Sequence, residues 1–204
     1  MAHRVSEPTI GVLGLQGDVR EHLVALERIG VAGVNVRSPK ALSEVDALIL
    51  PGGESTTLGM LLVSSGLDGP LRERLVAKMP AFGTCAGMIL LSRTVLDGRD
   101  DQRPFGAIDI GVRRNAFGRQ VESFEVDLDI EGLKEPMHAV FIRAPVVESH
   151  GERVRVLSSI THNGDLRPVV CREANVMVAA FHPELTDDAR LHGLFLDIVR
   201  EATG

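Results

Sequence analysis

A chain of 204 residues with a net charge of −6 lacks the basic surface pattern of nucleic-acid-binding proteins. Its apolar runs are shorter than the ~18 residues of a membrane span, and residues 1–8 lack the apolar core of a signal peptide. Two cysteines, Cys85 and Cys171, make no disulfide framework, so we expect a reducing, cytoplasmic location. The length predicts one domain over residues 1–204, with residues 1–8 as a flexible extension.

The first half of the chain alternates apolar strand patterns with helical patterns. Strands are predicted at 9–15, 34–36, 47–50 and 80–83, and helices at 18–29, 55–64 and 71–78. This order predicts a three-layer, doubly wound, flavodoxin-like α/β fold, whose mostly parallel sheet is covered by helices on both faces. Functional side chains are then expected at the carboxyl ends of the strands.

After residue 97 the predicted strands become short, and we expect an added antiparallel portion whose last strands rejoin the main sheet. These strands are predicted at 108–112, 121–129, 139–142, 154–157, 168–171 and 176–181. A final helix, capped by Thr186 or Asp187, is predicted from an apolar stripe of Leu191, Leu194, Phe195 and Ile198.

Cys85 lies between a predicted strand and a helix expected to begin after Gly87, in the pattern Gly-x-Cys-x-Gly. This spacing is typical of a nucleophile elbow, a turn so sharp that glycines are needed two residues before and after the nucleophile. The start of a helix also favours a thiolate over a thiol. The alternative is a buried structural cysteine, which is what we expect of Cys171.

The segment Pro51-Gly52-Gly53-Glu54-Ser55 directly follows the third predicted strand. Paired glycines leave backbone N–H groups free to face a ligand oxygen, which favours an oxyanion hole. One N–H would come from Gly53 and a second from Ala86, the residue after the candidate nucleophile. A tight turn between strand and helix is the alternative.

His182 and Glu184 follow the last strand and flank Pro183. Proline favours an extended conformation for His182, and residues two apart in an extended segment point to the same side. Glu184 would then orient the imidazole as a base for Cys85. A solvated histidine beside an acid is the alternative.

Arginines follow two strands of the second half, at Arg114 and at Arg143. An arginine at a strand end can bind a carboxylate through two parallel hydrogen bonds. Surface arginines on an antiparallel hairpin are the alternative. The histidines form no ligand cluster with Cys171, so no metal site is predicted.

Taken together, the motifs resemble those of the class I (triad) glutamine amidotransferases, and in particular the glutaminase subunit of pyridoxal 5'-phosphate synthase, the PdxT or Sno family. The superfamily motifs are Gly83-Thr84-Cys85-Ala86-Gly87, Pro51-Gly52-Gly53-Glu54-Ser55 and Phe181-His182-Pro183-Glu184. The more specific ones are Gly11-Val12-Leu13-Gly14-Leu15-Gln16-Gly17, Arg114-Asn115-x-Phe117-Gly118-Arg119-Gln120 and Phe141-Ile142-Arg143-Ala144-Pro145. The resemblance runs from Ile10 to the final helix.

The resemblance implies that L-glutamine and water give L-glutamate and ammonia, with no cofactor. It implies that Cys85 attacks the side-chain amide carbon, His182 transfers the proton and Glu184 fixes the imidazole. The backbone of Gly53 and Ala86 would stabilise the oxyanion. The residues implied to hold glutamine are Gly52, Gly53, Glu54, Arg114, Ile142 and Arg143.

The resemblance also implies a partner, the synthase subunit of the PdxS family, a (β/α)8 barrel that receives the ammonia and builds pyridoxal 5'-phosphate from two sugar phosphates. A complex of twelve copies of each subunit is implied, with a glutaminase that is poorly active until the synthase docks. We predict that Gln16, in the loop after the first strand, belongs to this interface. The surrounding glycines do not match the Gly-x-Gly-x-x-Gly pattern of a dinucleotide site.

Three alternatives remain open at this point. A triad glutaminase of another pathway, such as imidazole glycerol phosphate synthesis, would differ around residues 114–120. A cysteine peptidase or stress protein of similar fold would lack the arginines that hold glutamine. A non-catalytic docking subunit would not need Cys85, His182 and Glu184 together.

Overall fold

A computed structural model describes residues 7–98, 103–114, 123–162 and 164–203. The alternation predicted for the first half is confirmed, with an additional short helix, α2. Its elements are β1 (Ile10–Leu13), α1 (Val19–Arg28), β2 (Gly33–Val36), α2 (Pro39–Ser43), β3 (Ala47–Leu50), α3 (Ser55–Ser64), α4 (Asp68–Val76), β4 (Ala81–Thr84) and α5 (Ala86–Leu91).

The second half is built mainly of strands and ends in a helix, as the sequence predicted. Its elements are β5 (Ser92–Val95), β6 (Ile108–Arg113), β7 (Ser123–Leu128), β8 (Met137–Ile142), β9 (Val146–His150), β10 (Arg155–His162), β11 (Asp165–Glu173), β12 (Val176–Ala179), a 3-10 turn (Pro183–Leu185) and α6 (Arg190–Thr203).

A seven-stranded sheet organises the molecule in the order β10-β11-β12-β4-β3-β1-β2. Neighbouring strands from β12 to β2 run parallel, whereas β10 and β11 add an antiparallel edge. The order β2-β1-β3-β4-β12 is that of a flavodoxin-like sheet, in which ligands bind at the carboxyl ends of the strands. The last strands of the chain therefore rejoin the main sheet, as predicted.

Two smaller sheets form the added portion. One contains β5, β6 and β9, and the other pairs β7 with β8 in antiparallel register. The backbone N–H of His182 donates to the carbonyl of Val140 on β8 at 2.9 Å, which ties this portion to the end of the main sheet.

The core lies on both sides of the parallel strands. Every residue of β1, β3, β4 and β12 is buried, as expected for strands covered on both faces. Helix α1 packs against α6, while α3 packs against α4 and α5. Phe82 of β4 contacts Phe195 of α6 with ring centroids 5.5 Å apart. In the described part of the chain, none of the helices combines the length and apolarity needed to cross a bilayer.

Three local predictions were wrong in detail. Helix α6 begins at Arg190, where the Asp188 carboxylate accepts the backbone N–H of Arg190 at 3.0 Å, so neither Thr186 nor Asp187 caps it. Helix α5 begins at Ala86, directly after Cys85. Helix α2 was missed, although Ser38 supplies its cap by accepting the N–H of Ala41 at 3.2 Å.

Candidate active site

Cys85 occupies the sharp turn between β4 and α5. Its backbone has φ 48° and ψ −104°, a conformation that non-glycine residues rarely adopt. A side-chain carbon at Gly83 would lie 2.5 Å from the carbonyl carbon of Gly87, and one at Gly87 would collide with the Leu50 carbonyl oxygen. The two glycines are therefore required for the turn, which is the physical reason given for a nucleophile elbow.

Behind Cys85, His182 and Glu184 form a tight hydrogen-bonded pair. Nδ1 of His182 lies 2.8 Å from Oε1 of Glu184, and the two residues are 6% and 5% exposed. The segment is not extended as predicted, because Pro183–Leu185 forms a 3-10 turn. This turn still brings the carboxylate to the ring, so Glu184 can orient the imidazole.

The second nitrogen of the imidazole is left for the thiol. Burial lowers the pKa of His182, but hydrogen bonds to Cys85 and Glu184 outweigh burial and raise the pKa to about 10. Burial raises the pKa of Glu184, and the hydrogen bond from His182 opposes that change. Cys85 and His182 line the same cleft, and Glu184 holds the imidazole from the other side, as an activated nucleophile requires.

The loop after β3 closes one side of the site. Gly53 has φ +138°, a backbone conformation that favours glycine. Gly52 lies against the imidazole, because a side-chain carbon there would lie 3.0 Å from Nδ1 of His182. Gly17 packs so closely on Gly52 that a side-chain carbon there would collide with the Gly52 carbonyl oxygen. Oε1 of Gln16 accepts the backbone N–H of Glu54 at 3.3 Å. The loops after β1 and β3 are therefore interlocked.

A cleft of about 400 Å³ opens above Cys85. This volume lies in the range of small-molecule sites. Eight of the predicted site residues line the cleft, namely Gln16, Gly53, Glu54, Cys85, Arg114, Ile142, Arg143 and His182. Gly52 and Glu184 lie behind them against His182, and Ala86 is buried directly after Cys85. Another cleft, between β7 and β10, is larger at about 600 Å³ but contains none of these residues.

Arg114 and Glu54 meet at the first turn of α3. The Glu54 carboxylate caps α3 by accepting the N–H groups of Thr56 at 3.1 Å and Thr57 at 2.7 Å. Burial raises the pKa of Glu54, but these hydrogen bonds, above all those from Thr57, lower it to about 2. Nη1 of Arg114 lies 4.0 Å from Glu54 Oε1 and donates to Thr56 Oγ1 at 3.1 Å. A guanidinium and a carboxylate thus stand together on the wall of the cleft.

The guanidinium of Arg114 is not fully used by the protein. Its Nε is buried without a hydrogen-bond partner in the described residues. Arg143 is exposed and follows β8 with φ 44°, and the carbonyl oxygen of Ile142 lies 4.0 Å from Cys85 Sγ. Positive φ in a non-glycine residue is enriched at functional sites, and Cys85 and Arg143 both have it in this cleft, although Lys78 and Ala174 have it at turns elsewhere. The rest of the predicted Arg-Asn-x-Phe-Gly-Arg-Gln motif, residues 115–120, lies outside the described residues.

Cys171 is fully buried on β11, and burial raises the pKa of its thiol to about 12. A thiol in this state is neither exposed nor readily ionised. The prediction that Cys171 is a core residue is confirmed.

Sequence reasoning missed two polar residues: Asp18 at the N-cap position of α1, and His22 within α1. The carboxylate of Asp18 lines the cleft, 3.9 Å from His182 Nδ1. Ligand atoms of Asp18, His182 and Glu184 lie within 4.8 Å of one another, but the short bond between His182 and Glu184 fits an oriented base better than a set of metal ligands. His22 is fully buried, and its position three residues after Val19 on the apolar stripe of α1 was the available signal.

A protein-family sequence model, described as the SNO glutamine amidotransferase family, matches residues 12–201. The chain belongs to this family. A glutamine amidotransferase crystal structure that is 48% identical superimposes with a TM-score of 0.86, covering 94% of this chain and 98% of that one. A glutamine amidotransferase from Thermotoga maritima, 12% identical with a TM-score of 0.58, shares the fold over 97% of this chain and 98% of its own.

Curated relatives of this family member carry a more specific name, pyridoxal 5'-phosphate synthase subunit PdxT. The protein of that name from Frankia alni is 56% identical over 199 residues, which cover 97% of this chain and 98% of the relative. The one from Mycobacteroides abscessus is 54% identical over 193 residues, which cover 95% of this chain and 98% of the relative. The likeness therefore extends over nearly all of both chains.

Proposed function

We propose that this chain hydrolyses L-glutamine to L-glutamate and ammonia and supplies the ammonia for pyridoxal 5'-phosphate synthesis. The observation that carries the proposal is a cleft lined by Cys85 and His182, with Glu184 hydrogen-bonded to His182 from behind and two arginines on the cleft walls. Family membership and the name of the curated relatives support the choice of glutamine and of the pathway.

The reaction begins when the Cys85 sulfur attacks the amide carbon of the glutamine side chain. His182, whose raised pKa keeps the proton taken from the thiol on its ring, delivers that proton to the leaving nitrogen, so that ammonia departs and a γ-glutamyl thioester remains on the sulfur. A water molecule, deprotonated by His182, then attacks the thioester, which releases L-glutamate and regenerates the thiol. Glu184 keeps the imidazole in the tautomer and orientation that both steps need.

Backbone N–H groups of Gly53 and Ala86 stabilise the oxyanion of each tetrahedral intermediate. Two features support this role: Gly53 and Cys85 line one cleft, and Ala86 directly follows the nucleophile. Such donors contribute most where water is excluded, and Cys85 is only 7% exposed.

Glutamine is held at its amino-acid end by charged groups on the cleft wall. Arg114 binds the α-carboxylate from the wall of the cleft, and Arg143 adds a second positive charge. The Glu54 carboxylate faces the α-ammonium group, while Gly52, Gly53 and the Ile142 carbonyl shape the pocket next to the sulfur.

A synthase subunit of the PdxS family, a (β/α)8 barrel, receives the ammonia in a complex with twelve copies of each subunit. The carboxyl edge of the sheet carries both the cleft and the loop of Gln16, so a partner that covers this edge would keep ammonia from bulk water. Gln16 contributes to this interface, because its side chain already contacts the loop of Gly53 and Glu54.

The test is ammonia release from L-glutamine, measured for the isolated chain and for the chain mixed with a PdxS-type synthase. We expect glutamine-dependent ammonia, a higher rate with synthase, and pyridoxal 5'-phosphate formation when the two sugar phosphates are added. Hydrolysis that synthase does not change, with no pyridoxal 5'-phosphate formed, would assign the chain to another amide-nitrogen pathway.

A further inference from the structure

A second, deeper set of polar contacts lies behind Glu184. His22 on α1 and His192 on α6 are both fully buried, with His22 Nδ1 3.0 Å from His192 Nε2. The other ring nitrogen of His22, Nε2, lies 3.3 Å from Thr84 Oγ1 and 3.5 Å from Glu184 Oε2. His22 thus stands between the core of the protein and the carboxylate that orients His182.

The Glu184 carboxylate needs a second donor. Its Oε1 is used by His182, but its Oε2 is buried and has no hydrogen-bond partner among the residues that the structure describes. A buried carboxylate oxygen without a donor is costly, because water no longer solvates its charge. The nearest side-chain nitrogen recorded is His22 Nε2. At 3.5 Å the contact is long, as catalytic hydrogen bonds often are before substrate binds.

The protonation of the two histidines can be assigned from their surroundings. Burial lowers the pKa of His22 well below its usual value, with His192 and His182 adding to the effect, and burial lowers the pKa of His192 to about 4. Both rings are therefore neutral near pH 7, and each carries a single N–H. The titratable groups that face His22 are His192 on α6, Glu184 in the 3-10 turn and His182 beyond it.

Two arrangements of these protons are conceivable. If His22 Nδ1 donated to His192, the bare Nε2 of His22 would accept from the Thr84 hydroxyl, Glu184 Oε2 would gain no donor from His22, and the remaining N–H of His192, on Nδ1, would have no partner in the described chain. If His192 Nε2 donates to His22 Nδ1, the proton of His22 lies on Nε2, within reach of both Thr84 Oγ1 and the carboxylate. The second arrangement avoids an unpaired N–H and supplies a donor to Glu184 Oε2.

We propose that His22 is a positioning residue for the hydrolytic reaction, in which its Nε2–H donates to Glu184 Oε2 and holds the carboxylate that orients His182. His192 fixes the tautomer of His22 from the other side. The inference rests on the proposed roles of Cys85, His182 and Glu184. It extends the contact between His182 and Glu184 to two helices of the core.

A pair of substitutions separates this role from simple packing. His22→Asn retains a polar group near the position of Nδ1, facing His192, whereas His22→Gln retains an N–H donor near the position of Nε2, facing Glu184. We expect His22→Asn to lower kcat about tenfold to a hundredfold with little change in KM, the usual effect of losing a hydrogen bond to a charged group. His22→Gln should keep most of the rate.

The dependence of kcat on pH gives a second readout. Loss of the donor disfavours the ionised form of Glu184, so the acid limb of the kcat profile should move to higher pH in His22→Asn and stay in place in His22→Gln. Equal loss in both variants, with the acid limb unmoved, would show that His22 serves packing alone and would overturn the proposal.

Measurements on the wild-type chain cover the case in which a variant does not fold. Nitrogen-15 NMR of the histidine rings should show His22 protonated at Nε2, and a ring protonated at Nδ1 would overturn the assignment. Cys85→Ala, assayed in parallel, separates an error in the triad from an error in the role of His22. If Cys85→Ala stays active, the triad itself is wrong; if it is inactive while both His22 variants match the wild type, only the role of His22 is wrong.

Discussion

The two regions that build the cleft differ in how they hold their functional groups. Cys85, His182 and Glu184 lie at the ends of the adjacent parallel strands β4 and β12 and are at most 7% exposed. Arg114 and Arg143 follow β6 and β8 of the added portion, which is mostly antiparallel, and Arg143 is exposed. The first region is fixed by backbone geometry and burial, whereas the second depends on long side chains.

The two regions are therefore suited to different roles in the reaction. Groups that act on the reacting atoms must be held to within a fraction of an ångström, which buried strand ends provide. Groups that bind the far end of the substrate tolerate more movement, and they contribute equally to ground and transition states. Substitutions in the first region should therefore change mainly kcat, and substitutions in the second mainly KM.

The largest effect is expected from Cys85→Ala. Because the nucleophile is removed while the turn remains, ammonia release should fall below detection with folding and synthase binding intact. Cys171→Ala is the matched control, since Cys171 is the other buried thiol, and it should leave activity essentially unchanged. Loss of activity in Cys171→Ala but not in Cys85→Ala would reverse the assignment of the nucleophile.

A smaller but still large effect is expected from Glu184→Gln. The amide can still accept from His182 Nδ1 but no longer stabilises a charged imidazolium, so kcat should fall by about a hundredfold to ten thousandfold. His182→Ala should be worse, because it removes the base itself. Steady-state kinetics of both variants decide the order. Equal and complete loss, with folding unchanged, would indicate that Glu184 acts directly on the substrate.

The turn that holds Cys85 and the strands beside it could be predicted well from the sequence, because local signals specify them. Gly83 and Gly87 flank Cys85 at the spacing that the turn requires, and the apolar runs of β3 and β4 identify buried parallel strands. The conformation around Pro183 was predicted less well, because a single proline is compatible with both an extended segment and a 3-10 turn.

Contacts between distant segments could not be predicted in the same way. The contact between Gln16 and Glu54 depends on how the loops after β1 and β3 meet. The approach of His22 to Glu184 joins residues 162 positions apart in the chain. In contrast, the role predicted for Arg114 and Arg143 in holding glutamine came from the family resemblance, since an arginine after a strand is by itself common on protein surfaces.

Arg114→Ala tests the second region, whose arginines Arg114 and Arg143 are proposed to bind the amino-acid end of glutamine. Loss of the guanidinium that is proposed to bind the α-carboxylate should raise KM for glutamine about tenfold or more, with a smaller change in kcat. Arg113→Ala is the control, because the neighbouring guanidinium instead binds Glu148 at 3.0 Å and lies outside the cleft. The measurement is the glutamine dependence of ammonia release. Similar KM values for the two variants would remove Arg114 from the glutamine site.

The smallest expected effect concerns the link between the two loops at the carboxyl edge of the sheet. Gln16 Oε1 accepts the N–H of Glu54 at 3.3 Å and packs beside Gly53, so the side chain steadies the loop that is proposed to supply an oxyanion donor. Gly17, with φ +93°, lets the two loops approach closely. A synthase that docks on this edge would meet Gln16 and the Gly53 loop as one unit.

Gln16→Ala should therefore reduce the synthase-stimulated rate by a few fold, more than it reduces the basal rate, and should weaken complex formation. Titration of each variant with synthase, followed by ammonia release, measures both effects. Val76→Ala is the control, because Val76 is 76% exposed at the end of α4, which leads into the opposite, amino-terminal edge of the sheet at β4. Wild-type stimulation of Gln16→Ala at the same synthase concentrations would remove Gln16 from the interface. A loss confined to the basal rate would assign the residue to the oxyanion loop alone.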